Sequence, residues 1–207
     1  IGMWGFHRFS FKMGEGVLIP RPETEILVDF AVEKIQKHKY KTVFDLCCGS
    51  GCIGLSIAKL CRDVKVYCVD VSDKALEYTR LNKELLDVDN VTVVKSDIRE
   101  SAGFIGLPRP DIILSNPPYI CTDEIKALQP EIAFEPSLAL DGGADGLSFY
   151  RSLSEIWYPF INRGGYLAME CGEDQATDIL SLFIGKADKG KIIKDASGID
   201  RVVTVAR

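Results

Sequence analysis

A run of four residues, Asn116-Pro117-Pro118-Tyr119, has the composition needed for chemistry on a planar nitrogen atom. The lone pair of an amide or aromatic amine nitrogen is delocalised, so such an atom is a poor nucleophile. Two acceptors that take its two N–H groups turn the lone pair out of the plane, and Asn116 Oδ1 and the Pro117 carbonyl are the predicted acceptors. Both hydrogen bonds strengthen as positive charge develops on the nitrogen, so they favour the transition state selectively.

The two prolines alone indicate only a rigid turn that leaves a strand, since each X–Pro bond holds the preceding residue extended. Rigidity does not account for an asparagine in front and an aromatic residue behind. Tyr119 is predicted to pack against the flat group that carries the nitrogen. No general base is needed before the transfer, because the product loses its proton afterwards, and His7 and His38 lie far from this motif in the sequence.

A glycine-rich loop, Gly49-Ser50-Gly51-Cys52-Ile53-Gly54, matches the G-x-G-x-x-G pattern between a predicted strand and a predicted helix. The pattern alone also fits a dinucleotide site. Three aspartates favour S-adenosylmethionine, which becomes S-adenosylhomocysteine after methyl transfer. Asp45 precedes the loop, where its charge opposes a pyrophosphate and suits an ammonium and a sulfonium. Asp70 is placed to accept from the ribose hydroxyls and Asp97 from the adenine amine, although each aspartate singly is also a common cap or turn residue.

Apolar runs that alternate with helical segments predict an α/β fold, with a doubly wound and mostly parallel sheet. The runs are continuous, as expected where helices cover both faces of a sheet. The predicted strands cover residues 43–46, 64–69, 91–94, 111–115, 166–170 and 201–206. Ligands of such sheets bind at the carboxyl ends of the strands, and five polar residues fall there. These residues are Asp45, Asp70, Asp97, Asn116 and Glu170.

Two helix starts are also predicted. Residues 18–25 open a helix in which Pro22 suits the first turn and the glutamates favour the positive end of the helix dipole. A second helix covers residues 73–86, with Asp73 as its N-cap. Residues 1–17 hold aromatic residues and glycines without a helical period, which indicates a hairpin ahead of one domain over residues 18–207.

The composition places limits on the function. Of the 207 residues, 46% are apolar and 27% charged, as in an ordinary globular domain. No apolar run is long enough to cross a bilayer and no signal peptide is evident, so a cytoplasmic protein without membrane contact is expected. A net charge of −5 argues against DNA as a partner. The seven cysteines lack the spacing of metal ligands, so no metal is expected.

Three longer segments resemble the protein-(glutamine-N5) methyltransferases that act on peptide chain release factors, which are class I enzymes with a Rossmann-like fold. The segments are residues 18–25 (Leu-Ile-Pro-Arg-Pro-Glu-Thr-Glu), 134–147 (Phe-Glu-Pro-Ser-Leu-Ala-Leu-Asp-Gly-Gly-Ala-Asp-Gly-Leu) and 198–201 (Gly-Ile-Asp-Arg). The resemblance covers nearly the whole chain in order. It implies a seven-stranded sheet with an antiparallel last strand and S-adenosylmethionine as the methyl donor. The implied acceptor is the glutamine in the Gly-Gly-Gln loop of release factors, which act in translation termination.

The resemblance also implies roles by position: Gly49, Gly51, Asp70 and Asp97 bind the cofactor, Asn116 and Pro117 bind the substrate amide, and Arg21-Pro22 and Glu135-Pro136 line the site. Combined with the reasoning above, the predicted cofactor site comprises Asp45, Cys47, Gly49, Gly51, Asp70, Asp97 and Asn116. The predicted substrate site comprises Asn116, Pro117, Pro118, Tyr119 and Glu135, with Asn116 and Pro117 as the catalytic residues.

Two features depart from the family pattern. Cys47 stands where many relatives have the first glycine of the loop, so this position is expected to take an ordinary φ. The family usually carries an N-terminal helical domain that helps to grip the release factor, and residues 1–17 are expected to be a remnant of the linker to it. Whether the chain is active without that domain stays open.

Three other functions stay open at this point. The same tetrapeptide suits the amino group of adenine or guanine in a nucleic acid, although such enzymes usually add a recognition domain and a basic face. A glutamine of a ribosomal protein is a second alternative, and a non-enzymatic binding domain is a third. The sequence does not determine the oligomeric state, the preferred release factor, the redox state of the cysteines or the roles of Arg21, Glu135 and Glu170.

Overall fold

The computed structural model describes residues 2–100, 106–125 and 135–207. Phe134, the first residue of the second family-like segment, lies outside them. The strands are β1 (Met3–Phe6), β2 (Phe9–Lys12), β3 (Thr42–Leu46), β4 (Lys65–Asp70), β5 (Val91–Lys95), β6 (Ile112–Ser115), β7 (Tyr166–Glu170), β8 (Lys189–Lys194) and β9 (Asp200–Ala206). The helices are α1 (Glu25–His38), α2 (Cys52–Leu60), α3 (Asp73–Leu85), α4 (Thr122–Ile125), α5 (Ser148–Ser152) and α6 (Ala176–Ser181), with a 3₁₀ turn at Pro22–Thr24.

The main sheet has seven strands in the order β5-β4-β3-β6-β7-β9-β8. All neighbouring pairs are parallel except those that β9 makes with β7 and β8. The predicted fold class and the antiparallel last strand are therefore confirmed. The chain runs outward from β3 to β5 and then returns to β6 beside β3, so the order reverses between β3 and β6. In open α/β sheets, ligands bind at the carboxyl ends of the strands flanking such a switch point.

The central strands are buried on both faces, as their continuous apolar sequences predict. Successive side chains of a strand point to opposite faces. Leu114 of β6 therefore packs with Leu27 of α1 and Leu55 of α2, whereas its neighbour Ile113 packs in the cluster that contains Trp157. Trp157 is completely buried, and its Nε1 donates a hydrogen bond to a backbone carbonyl at 2.7 Å. The sheet thus separates two apolar cores.

Two details differ from the sequence prediction. The individual strand patterns do not reveal β8, and only the family resemblance supplied a seventh strand. β8 lies at the sheet edge and contains three lysines, and such lysines are typical of edge strands because they discourage pairing with another chain. The predicted cap of α3 is wrong. The Ser72 Oγ accepts a hydrogen bond from the Ala75 N–H at 3.3 Å, so Ser72 is the N-cap and Asp73 is the first helical residue.

The N-terminal strands form the hairpin that the sequence indicates. β1 and β2 pair antiparallel across a turn in which His7 has a φ of 54°. Phe6 and Phe11 are buried with their rings edge to face and their centroids 6.1 Å apart. The Lys12 N–H donates to Asn82 Oδ1 at 2.6 Å, and Asn82 Nδ2 donates back to the Lys12 carbonyl at 3.1 Å. These bonds fasten the hairpin to α3.

We expect Leu114→Ala to lower the free energy of unfolding by about 2–5 kcal/mol, because it leaves a cavity in a completely buried strand. Urea denaturation measures the change. Leu85→Ala is the matched control, since Leu85 is 43% exposed at the end of α3 and surface changes usually cost about 0.5 kcal/mol or less. Equal losses in the two variants would contradict the packing of β6.

Candidate active site

Two clefts open side by side at the carboxyl ends of the parallel strands. The first cleft encloses about 710 Å³ of empty space continuous with solvent, and the second about 540 Å³. Residues that line the first cleft include Cys47, Gly49, Asp70, Asp97, Asn116 and Pro118. Residues that line the second include Arg21, Asn116, Pro117, Tyr119, Glu135 and Glu170. Asn116 borders both clefts, and most of the predicted site residues surround it.

The glycine loop folds back over the end of the sheet through three residues with positive φ. These are Cys47 at 58°, Gly49 at 56° and Gly51 at 81°. The expectation of an ordinary φ at Cys47 is therefore wrong. A non-glycine residue pays about 1–2 kcal/mol for this conformation. A hydrogen bond of the next residue holds this turn: the Cys48 N–H donates to the Val69 carbonyl of β4 at 3.1 Å.

Asp70, at the end of β4, fixes the same loop from the other side. Its Oδ2 accepts from the Gly49 N–H and its Oδ1 from the Ser72 N–H, both at 2.9 Å. Burial raises the pKa of this carboxyl group, while these backbone hydrogen bonds oppose the rise. One carboxylate thus joins the glycine loop to the start of α3 at the wall of the first cleft.

Asp45 and Gly51 lie beneath the loop. Asp45 has no exposed surface, and its Oδ2 accepts from the Gly54 N–H at 2.8 Å. Its Oδ1 is buried and has no partner. Burial raises the pKa of Asp45 to about 7, against the hydrogen bond from Gly54, which lowers it. Gly51 has positive φ, and a Cβ there would come within 2.9 Å of Leu55 and Thr79 side chains. Both predicted cofactor residues therefore support the loop from below, while Gly49 and Asp70 face the first cleft.

Asp97 borders the first cleft, where its carboxylate pairs with Arg99. Arg99 donates from Nε to Oδ1 at 2.9 Å and from Nη2 to Oδ2 at 2.6 Å. This guanidinium holds the pKa of Asp97 below its usual value. The Arg99 guanidinium also lies 5.3 Å from the centre of the Phe149 ring. Sequence reasoning did not anticipate this arginine, which any adenine amine bound at Asp97 must share or displace.

The carboxamide of Asn116 is partnered on one side only. Its Nδ2 donates to Thr24 Oγ1 at 3.4 Å, whereas its Oδ1 is buried and has no partner among the described residues. Pro117 borders the second cleft and Pro118 the first, so the loop forms the partition between the clefts. The free acceptor atom therefore lies where the two clefts adjoin.

Gln175 is a site-supporting residue that sequence reasoning missed. Its Nε2 donates to the Tyr119 carbonyl at 2.9 Å, and its Oε1 accepts from the Gly172 N–H at 3.0 Å. The side chain of Tyr119 is partly buried, and this burial raises its pKa to about 12. A Cβ at Gly146 would lie 2.5 Å from both Gln175 Nε2 and the Tyr119 carbonyl oxygen. Gln175 thus fastens the loop after β6 to the loop after β7.

Arg21 and Glu135 form an ion pair across the second cleft. Arg21 Nη2 donates to Glu135 Oε1 at 2.9 Å, although the two residues are 114 positions apart. Glu135 Oε2 is buried and has no partner within the described ranges. Arg21 and Glu135 thus line the second cleft together with Asn116.

Glu170, at the end of β7, borders the second cleft and is only 2% exposed. Burial raises its pKa to about 7, while the Thr24 hydroxyl and the charges of Arg201 and Arg21 lower it. Its Oε2 has no partner among the residues that the structure describes. Within that part of the chain, three buried acceptor atoms of the residues lining the second cleft lack a donor, on Asn116, Glu135 and Glu170.

The described residues hold no group of three or more His, Cys, Asp or Glu side chains placed to bind a metal. All seven cysteines are free thiols. Burial raises the pKa of Cys47 and of Cys48 well above the ordinary value, which keeps both protonated as thiols. Among the described helices, none has the length and apolar composition needed to cross a membrane.

The sequence has known relatives along nearly its whole length. Residues 23–133 match the family model of the methyltransferase small domain. Over 205 residues the chain is 40% identical to the release factor glutamine methyltransferase of Clostridium acetobutylicum, and the match covers 98% of this chain and 72% of that protein. This chain belongs to the release factor glutamine methyltransferase family. The relative of the same name from Thermodesulfovibrio yellowstonii is 38% identical over 215 residues, with 100% of this chain and 75% of that protein covered.

The fold of this methyltransferase also recurs among solved structures. The precorrin-6y C5,15-methyltransferase of Geobacter metallireducens superposes with a TM-score of 0.65 over 95% of each chain. The two sequences are only 11% identical, so this likeness shows the fold alone.

We expect Asp45→Asn to raise the free energy of unfolding of this methyltransferase relative to the wild type, by an amount that increases as the pH rises from about 4 to 7. The raised pKa of Asp45 makes the folded protein retain a proton that the unfolded chain releases, so the wild type loses stability over this range and the asparagine variant does not. The gain at pH 8 is at most about 4 kcal/mol, since one pKa unit corresponds to about 1.4 kcal/mol.

Thermal unfolding of both proteins between pH 4 and 8 measures this difference. The matched control is Asp89→Asn, the same chemical change at an exposed position. A stability difference for Asp45→Asn that is constant, or that shrinks as the pH rises, would contradict the raised pKa.

Proposed function

We propose that this protein transfers a methyl group from S-adenosylmethionine to the N5 nitrogen of a glutamine side chain, in the Gly-Gly-Gln loop of peptide chain release factors, and releases S-adenosylhomocysteine. The observation that carries the proposal is Asn116 Oδ1, a buried acceptor between the two clefts that has no partner in residues 2–100, 106–125 and 135–207. Leaving such an atom unpaired costs about 1–3 kcal/mol, which a substrate N–H recovers. The family of the chain supports the same acceptor.

The residues of the first cleft fit S-adenosylmethionine. Asp70 and Asp97 supply carboxylate acceptors for the ribose hydroxyls and the adenine amine, while Ile98 and Phe149 supply apolar walls for a flat ring. A Cβ on Gly49 would meet no atom within 4 Å, so space lies open beside the loop. When bound, S-adenosylmethionine supplies the electrophilic methyl group. The negative charges of the cleft suit its cationic centres.

The second cleft suits a peptide glutamine. Asn116 Oδ1 and the Pro117 carbonyl accept the two N–H groups of the carboxamide and turn its nitrogen lone pair towards the first cleft. Both bonds strengthen as charge develops on the nitrogen, and each contributes about 2–3 kcal/mol to the transition state. The rigid prolines hold the glutamine nitrogen in line with the methyl group, which reduces the entropic cost of reaching that geometry. The excess proton leaves the nitrogen after the transfer.

Charge in the second cleft favours a protein substrate over a nucleic acid. The carboxyl groups of Glu135 and Glu170 border the cleft, and Arg21 is already paired with Glu135. Nucleic acids bind chiefly through phosphates, which need unpaired cations. A peptide loop offers N–H donors to the carboxylates.

The direct test is mass spectrometry of a bacterial release factor incubated with this protein and S-adenosylmethionine. We expect one added methyl group, on the glutamine of the Gly-Gly-Gln sequence. A release factor with that glutamine changed to glutamate is the control and is expected to stay unmodified. With a labelled methyl donor, label found in nucleic acid or in a ribosomal protein, and none in the release factor, would contradict the proposal.

Two substitutions separate binding from catalysis. We expect Asn116→Ala to lower kcat about 100-fold or more while it changes S-adenosylmethionine affinity little, because Oδ1 acts mainly in the transition state. Asp70→Ala is expected to weaken S-adenosylmethionine binding first, because its carboxylate both faces the first cleft and holds the Gly49 N–H. Calorimetry and steady-state kinetics measure the two effects. Equal losses of kcat and affinity in Asn116→Ala would mean that Asn116 acts only as a structural residue.

A further inference from the structure

The Asn116 carboxamide must point the correct way round to act as an acceptor. If its oxygen and nitrogen changed places, N–H donors would face the substrate N–H groups and repel them. In the structure, Nδ2 donates to Thr24 Oγ1 at 3.4 Å and Oδ1 is left free. Thr24 is only 1% exposed, so water does not compete for this contact. The hydroxyl of Thr24 is therefore the polar group that distinguishes the two orientations.

A threonine hydroxyl can donate or accept, so its other neighbour decides which it does. That neighbour is Glu170, whose carboxyl group interacts with the Thr24 hydroxyl and is 2% exposed. A carboxylate only accepts. A Thr24 proton directed to Glu170 would leave an oxygen lone pair of the hydroxyl for Asn116 Nδ2. The Thr24 N–H also donates to the Arg21 carbonyl at 3.1 Å, which fixes the turn that carries the hydroxyl.

We propose that Thr24 is a positioning residue for catalysis: its hydroxyl, with the proton held by Glu170, keeps Asn116 Nδ2 turned away from the substrate and Oδ1 turned towards it. This inference rests on the function proposed above and deepens it, since it explains how the acceptor atom is presented. It requires no covalent step and no further ligand.

The protonation state of Glu170 makes the orientation of the Asn116 carboxamide depend on pH. Because burial raises the pKa of Glu170 to about 7, the group is mostly charged above that pH and protonated below it. A protonated Glu170 can donate to Thr24, whose own proton is then free to turn to Asn116, so the orientation is no longer specified. The titratable groups that interact with Glu170 come from several surrounding elements. They are Arg21, Glu23, Cys52, Tyr119, Tyr150, Cys171 and Arg201.

The activity test compares Thr24→Val, which removes the hydroxyl at nearly constant volume, with Thr24→Ser, which keeps it. We expect Thr24→Val to lower kcat roughly tenfold or more, with little change in the KM for the release factor or in donor affinity, and Thr24→Ser to restore most of the activity. Thr204→Val is the matched control, because Thr204 is also a buried threonine (5% exposed) whose hydroxyl donates to the Lys191 carbonyl between β9 and β8. A wild-type kcat in Thr24→Val, or an equal loss in Thr24→Ser, would overturn the inference.

Nuclear magnetic resonance tests the inference independently of turnover. In ¹⁵N-labelled protein, the side-chain amide signals of Asn116 are assigned by their loss in Asn116→Ala. We expect them to shift between pH 6 and 8 in the wild type, with a midpoint near the pKa of about 7 for Glu170. The shift should vanish in Thr24→Val and in Glu170→Gln.

The same spectra separate this inference from the proposed function. An Asn116 signal that ignores pH in the wild type would overturn the positioning role even if the release factor is methylated. The expected shift in a protein that methylates no release factor would instead retain the positioning role and reject the proposed substrate.

Discussion

Leu46 of β3 lies opposite Ser115 of β6, and the Ser115 hydroxyl donates a hydrogen bond to the Leu46 carbonyl at 2.9 Å. The residues that follow are Cys47 and Asn116, so the glycine loop and the asparagine leave the sheet side by side. Because side chains alternate between the faces of a strand, a slip of one position would send Asn116 to the wrong side. The adjacency of the two clefts depends on this pairing.

Buried carboxyl groups maintain the geometry around that pairing at some cost in stability. Asp70 and Asp45 accept backbone N–H groups of the glycine loop and of α2, and burial raises the pKa of each. Raised pKa values of this kind are typical of functional sites, where fixed polar groups replace water. Asn116 Oδ1 and Glu170 Oε2 add buried acceptors that lack a donor in the described part of the chain. Each such buried and unpaired acceptor costs about 1–3 kcal/mol of stability.

The segment that precedes α1 closes the site from a distant part of the chain. Arg21 pairs with Glu135 over 114 positions, and Thr24 contacts Asn116 over 92. Pro22 begins the 3₁₀ turn between them. The spacing of Arg21 and Thr24 within one turn therefore lets a short local structure position two parts of the second cleft at once.

By itself, the sequence determined the features that depend on neighbouring residues. The continuous apolar runs predicted the parallel strands, and the residues at their ends marked one edge of the sheet. Short sequence motifs were enough to identify four candidate site residues, since a few neighbouring positions indicate their chemistry. These residues are Asn116, Pro117, Gly49 and Asp70. Their assigned roles stay predictions, and the structure places Asn116, Pro117, Gly49 and Asp70 at the walls of two adjoining clefts.

Only the tertiary structure decided the features that arise from packing. Cys47 takes a positive φ because β4 holds the next residue through a hydrogen bond. Asp45, which was predicted to bind the cofactor, is fully buried beneath the glycine loop. Asp97 is paired with Arg99. Gln175 belongs to no segment that the sequence singled out, and Thr24 lies in the family-like segment 18–25 without an assigned role, yet they hold Tyr119 and Asn116. Hydrogen bonds across tens of residues depend on how elements pack, and this information is spread over the whole chain.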